Sequence, residues 1–152
     1  MGKVCPLFRK DFSIDKEIST ATLYITARGV YEAKINGNRV GNFIMAPGWT
    51  SYHIRLQVQT YDVTGLLKED NTIILELAEG WFWRLKKAQP KAIIAQLHIV
   101  YTDGSEEDIG TDESWFVAES NMQTGWSLVV STEYSKDQLV IILLLLLTMP
   151  IQ

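Results

Sequence analysis

The sequence predicts an all-β fold, an antiparallel sandwich or barrel built from short strands. Three observations predict it. Asn36-Gly37 stands between two alternating runs, and that pair tolerates positive φ at both central positions of a hairpin turn. Apolar residues recur with period two in several separate stretches, bounded by Gly, Pro, Asn or Asp. Helical periodicity is never sustained beyond about one turn, so about eight or nine short strands account for the chain.

Leu7 to Phe12 is the first expected strand, with Ser13-Ile14-Asp15 as its exit. Thr20 to Ala27 is the second, in which Ala21, Leu23 and Ile25 alternate with Thr22, Tyr24 and Thr26. Gly29 ends it as a bend. In the third, Tyr31, Ala33 and Ile35 alternate with Glu32 and Lys34, and Asn38 to Phe43 returns after the hairpin turn. Pro47-Gly48 breaks the ladder. His53 to Tyr61 alternates again, with Leu56 and Val58 on one face and Arg55, Gln57 and Gln59 on the other. Thr64 to Lys68 is one helical turn, capped by Asp62 or Thr64, whose Leu66 and Leu67 plug one end of the sandwich. Asn71 to Leu77 and Ile93 to Tyr101 are strongly apolar strands. Thr102-Asp103-Gly104-Ser105 turns the chain into Glu106 to Ile109, and Ser114 to Ala118 completes the set.

Four segments carry a resemblance. INGNRVG, APGWTSY, QTYDVTGLLKEDN and EGWFW, in this order and at these spacings, resemble the N-terminal β-sandwich domain of bacterial α-L-rhamnosidases. The likeness runs from about Phe8 to about Trp126. It implies a jelly-roll, galactose-binding-like sandwich that assists substrate recognition. It also implies that catalysis belongs to a separate, larger helical domain.

The totals bound the function. A chain of 152 residues is one domain by length, and buries about 68–70% of its unfolded surface. With 47% apolar residues, 21% charged residues and a net charge of −4, it lacks the basic patch that nucleic acid requires. The local cluster Arg84, Lys86 and Lys87 reads as a solvated loop. Cys5 is the single cysteine, so no internal disulfide forms, and no histidine is close in sequence to activate it. Met1-Gly2-Lys3 is not followed by an apolar signal region, so a cytoplasmic location is expected.

From Ser131 the chain leaves the family pattern, dividing it into a sandwich over 1–130 and a tail over 131–152. Leu139 to Leu147 is nine apolar residues, far short of the ~20 that span a membrane. Fully burying a large aliphatic side chain is worth about 1.5–3 kcal/mol, so this run is expected to be covered. It is apolar on every side, and a neighbouring copy supplies the second cover simply, which predicts a homo-oligomer joined through the tail.

The inventory for catalysis is thin. His98 is expected on the solvent face of its strand, opposite Leu97 and Ile99, and His53 in a loop. No nucleophile-elbow, zinc-protease or phosphate-loop motif occurs. Glu76, Glu79, Glu106, Glu107, Asp108, Asp112 and Glu113 are carboxylates by type only, and glycoside hydrolysis needs two opposed across one cleft. No catalytic residue is assigned.

The aromatics are more informative. Trp81, Phe82 and Trp83 follow Gly80 directly, and three consecutive rings cannot all enter one face of a sheet. Exposed rings suit sugars, whose C–H edges stack on an aromatic face while their hydroxyls seek polar neighbours. Trp81, Phe82, Trp83, Trp49, Tyr52 and Asn42 are therefore the carbohydrate-binding candidates, with Trp81 and Trp49 alternatively anchoring their loops in the core. The resemblance implies that some members bind L-rhamnose through calcium, held by a longer loop rich in Asn, Asp and Gly. Here that loop is Arg84 to Pro90, short, basic and without a carboxylate, whereas calcium takes about six to eight oxygen ligands. No metal and no cofactor are assigned. Asn42 stands where family members often carry Asp, and Trp83 where a small or polar residue is more usual.

Together these readings describe a non-catalytic accessory module of an α-L-rhamnosidase, expected to serve structural docking in the parent enzyme and, beyond that, recognition of an L-rhamnoside. Its expected partners are the catalytic domain of the parent enzyme and an L-rhamnose-containing glycan, with neither nucleic acid nor membrane. The rival readings are a free-standing carbohydrate-binding protein and a complete small glycoside hydrolase.

Overall fold

A computed structural model describes residues 5–80, 82 and 90–120. The boundary expected at 130 and the apolar run 139–147 lie outside the described residues. The strands are β1 (Cys5–Ser13), β2 (Ile18–Arg28), β3 (Val30–Ile35), β4 (Asn38–Arg39), β5 (Gln59–Asp62), β6 (Asp70–Ala78), β7 (Ala92–Tyr101), β8 (Glu106–Gly110) and β9 (Phe116–Ser120), with a 3-10 turn over Thr64–Leu66. They form two antiparallel sheets, one in the order β4-β3-β6-β1-β9 and one in the order β5-β2-β7-β8. The expected sandwich is what forms.

Alternation builds the core. Leu23, Ile25, Leu97 and Ile99 from one sheet meet Phe8, Ile35, Ile73, Leu75 and Leu77 from the other, all essentially inaccessible. Gly29 is where the chain passes from β2 in one sheet to β3 in the other. Its φ is +134°, and a Cβ there would lie 2.3 Å from the Ala78 carbonyl oxygen, so only glycine fits the crossing. Trp115 is buried before β9, its indole N–H donating to the Gly110 carbonyl at 2.9 Å. Leu66 and Leu67 pack half-buried against the core, but the turn is shorter than expected, Thr64–Leu66, and its N-cap is Val63 with no side-chain cap; Asp62 instead accepts the Thr64 backbone N–H at 3.0 Å in the bend before it.

Three strand expectations need correction. The return from the hairpin is β4 alone, two residues rather than Asn38 to Phe43. Gly41 turns the chain out at φ +67°, and β3 instead meets Ala46 through an isolated bridge, Tyr31 N–H to Ala46 C=O at 2.8 Å. The strand expected over His53 to Tyr61 begins only at Gln59. Residues before it wind into a turn in which the Ser51 carbonyl accepts the N–H groups of Ile54 and Arg55 at 2.7 and 3.0 Å, so those donors are spent locally. Leu56 is accordingly half-buried and Val58 exposed, rather than sharing one covered face. The last strand starts at Phe116, not Ser114, because the Asp112 side chain takes the Ser114 N–H in a turn.

Candidate functional site

The long connection between β4 and β5, residues 40–58, carries most of the large exposed apolar side chains among the described residues. It leaves the core at Val40, which is buried and donates its N–H to the Ala33 carbonyl at 2.8 Å. Gly41 follows against the Tyr61 ring, 2.3 Å from where a Cβ would stand. The Arg39 guanidinium donates to the Phe43 carbonyl at 3.2 Å and pairs with Glu32 at 3.5 Å. Ala46 is held on β3 by its bridge to Tyr31. The Gly48 carbonyl accepts the Tyr52 hydroxyl at 3.3 Å, and the Gln59 amide donates to the Pro47 carbonyl at 3.4 Å.

Between these ties the loop presents apolar side chains to water. Phe43, Ile44, Met45, Trp49 and Ile54 are all exposed, Trp49 to 79%. Large exposed apolar groups gathered on one segment mark an interaction surface more than scattered ones do. The sequence reading missed this gathering, because it placed Asn38–Phe43 and His53–Tyr61 in strands. The Pro47-Gly48 break was the signal that a loop lay between them.

The six candidates separate. Trp49 and Asn42 are exposed on the loop, where a ligand can reach them. Tyr52 and Phe82 are buried, to 4% and 5% exposure, with their rings edge to face at 5.2 Å between centroids. Each ring covers the other, so this pair anchors the loop and presents no face to a sugar. Burial also raises the Tyr52 hydroxyl pKa above its usual value. Trp81 and Trp83 lie outside the described residues, as does the basic loop at 84–89.

The ionisable groups are arranged on the surface of the sheets. His98 Nδ1 meets Asp108 Oδ1 at 2.8 Å on the outer face of the β7–β8 pair. The Gln96 amide and His98 both hydrogen-bond Asp108, and hold its carboxyl below the usual carboxylate range. His53 is exposed in the loop. Glu76 on β6 accepts the Ser120 hydroxyl of β9. Among the described residues, no three His, Cys, Asp or Glu side chains gather as a metal-binding group. No described helix is long and apolar enough to cross a membrane.

Comparison with known proteins gives concordant results. A family model of the α-L-rhamnosidase N-terminal domain matches residues 16–134. The α-L-rhamnosidase of Streptomyces avermitilis is 39% identical over 132 residues, covering 77% of this chain and 13% of that protein. The chain thus spans about an eighth of the length of this curated relative. The crystal structure of the Streptomyces avermitilis α-L-rhamnosidase complexed with L-rhamnose superposes with a TM-score of 0.74 at 34% identity, over 88% of this chain and 14% of that one. A lectin from Pleurotus ostreatus in complex with GalNAc superposes with a TM-score of 0.56 at 27% identity, over 77% of this chain and 30% of that one.

Proposed function

Because this chain belongs to the family of α-L-rhamnosidase N-terminal domains, we propose that it is a non-catalytic accessory module that helps such an enzyme hold an L-rhamnosyl group. The observation that carries this reading is Trp49, an indole 79% exposed on a loop whose backbone is tied at Val40, Ala46, Pro47 and Gly48. A backbone held by hydrogen bonds on both sides of a bare aromatic face leaves less ordering entropy to oppose a weak ligand. Asn42, on the same loop, offers an amide that both donates and accepts toward hydroxyls. The neighbouring apolar side chains Phe43, Ile44 and Met45 suit either a sugar's methyl group or a docked catalytic domain.

The lectin likeness favours one second reading, a free-standing carbohydrate-binding protein. Both readings share the loop and differ in whether the rest of an enzyme is attached.

Two measurements on the full chain test the proposal. Calorimetry with L-rhamnose should show weak binding that a chelator leaves unchanged, since the stretch from Arg84 to Pro90 lacks carboxylate ligands. Trp49→Ala should weaken it without unfolding the protein, and an unchanged affinity removes the loop from the reading. An aryl α-L-rhamnoside should not be cleaved. Turnover that vanishes on replacing Asp108 or Glu106 would make the chain a hydrolase in its own right.

A further inference from the structure

We infer that the outer face of the β5-β2-β7-β8 sheet is a second carbohydrate subsite, taking a neutral sugar ring against Tyr24. It rests on the reading of the chain as a sugar-recognition module, but on residues separate from Trp49 and Asn42.

The register places the subsite. Leu23 and Ile25 of β2 and Leu97 and Ile99 of β7 point into the core, so their neighbours point outward. Tyr24 pairs with Gln96 of β7 and with Thr60 of β5, and Gln96 pairs in turn with Gly110 of β8. The result is a groove of about 380 Å³ lined by Tyr24, Thr26, Val58, Ile94, Gln96 and Asp108, among others. That volume lies at the lower end of small-molecule clefts.

The walls have identifiable causes. The Thr26 hydroxyl donates to the Gln57 carbonyl at 2.8 Å and draws the segment before β5 over the sheet, which makes Val58 one wall. On the other side, Gly110 brings no side chain, and open space lies where its Cβ would be. Tyr24 and Ile94 on the sheet face are exposed to 40% and 52%, and Val58 beside them to 58%, large values for apolar side chains.

The chemistry of the lining selects the ligand. A phenol face accepts the partly positive C–H edges of a sugar ring. Gln96 donates and accepts, and the Asp108 carboxylate accepts, so both needs of a hydroxyl are met at one end. Asp108 is positioned in advance by its bonds to Gln96 and His98. Ile94 and Val58 offer an apolar corner for a methyl substituent, as in a 6-deoxy sugar. Register also puts Asp62 and Glu106 on this face, so a phosphate or other anion is repelled. A neutral sugar remains the ligand that uses aromatic, amide and carboxylate together.

Titrating L-rhamnose into the isotope-labelled full chain, with backbone amides read by NMR, tests this. Amides of 24–26, 94–96 and 108–110 should shift. Tyr24→Ala removes the platform, and Gly110→Leu fills the groove from a position with open space above it. Each should weaken the sheet-face response by about tenfold while leaving that of the loop segment from Asn42 to Trp49 intact. Sheet-face shifts without loop shifts support the subsite and overturn the Trp49 reading. Shifts confined to the loop, or sheet-face shifts that survive both variants in folded protein, overturn the subsite. No shifts anywhere overturn both.

Discussion

Replacing Asn71 by Ala should destabilise the sandwich by about 3 kcal/mol, through hydrogen bonds rather than through packing. Asn71 is 4% exposed at the start of β6. Its Oδ1 accepts the Lys68 backbone N–H at 2.8 Å and the Asn36 amide at 2.9 Å, and its Nδ2 donates to the Lys68 carbonyl at 2.7 Å. Asn36 in turn donates to the Leu66 carbonyl and accepts the Thr72 N–H, both at 2.9 Å. The two amides thus clamp the β3–β4 hairpin to the 3-10 turn and β6. Three bonds at about 0.5–1.5 kcal/mol each, made by a buried side chain, give the figure. For a chain of this size it lowers the melting temperature by about 6–12 °C. The assay is thermal and urea unfolding followed by circular dichroism. Asn36→Gly supplies the second arm of a double-mutant cycle, since Asn36 sits at φ +52° and glycine removes the side chain without strain. The shared bond predicts that the double variant loses about 1 kcal/mol less than the sum of the singles. A loss below about 1 kcal/mol for Asn71→Ala, or strict additivity, refutes the clamp.

Two more outcomes follow from named residues. The Asp103 carboxyl is held at about 2, against an ordinary 3.8, by the Ser105 hydroxyl and N–H and then by Lys16, whose ammonium lies 3.0 Å away. A depressed folded-state pKa stabilises above the unfolded value and is lost as pH falls through the folded one, so Asp103→Asn should flatten the acid limb of stability between 3.8 and about 2; an unchanged limb in acid titration of unfolding contradicts it. The apolar run from Leu139 to Leu147 should make the full chain self-associate, and light scattering should show a smaller species when the chain is shortened to Ser135. A monomer in both removes the tail contact.

The sequence by itself determined the class and most of the strands. Period-two alternation fixes which side chains enter the core, and Leu23, Ile25, Ile35, Leu75, Leu97 and Ile99 are all buried where alternation puts them. The Asn36-Gly37 and Asp103-Gly104 turns were equally legible, because positive φ is a local demand that few residues meet. The order and spacing of four segments carry the family in the sequence itself. Tertiary structure decided what local pattern could not. The alternating run before Gln59 is no strand, because the Ser51 carbonyl captures its first donors, and the hairpin return stops after two residues because Gly41 turns the chain out and Ala46 takes the bridge at Tyr31. Tyr52 and Phe82 both read as candidate sugar contacts, yet 30 positions apart they close on each other and bury, while Trp49 stays bare. Alternation with Leu23 and Ile25 alone puts Tyr24 on the outer face of its strand. Only the pairing of β2 with β7, and of β7 with β8, sets Gln96 and Asp108 beside it. Alternation fixes the face of a side chain within its own strand; its neighbours on that face come from sheet order and register, which depend on contacts between residues far apart in the chain.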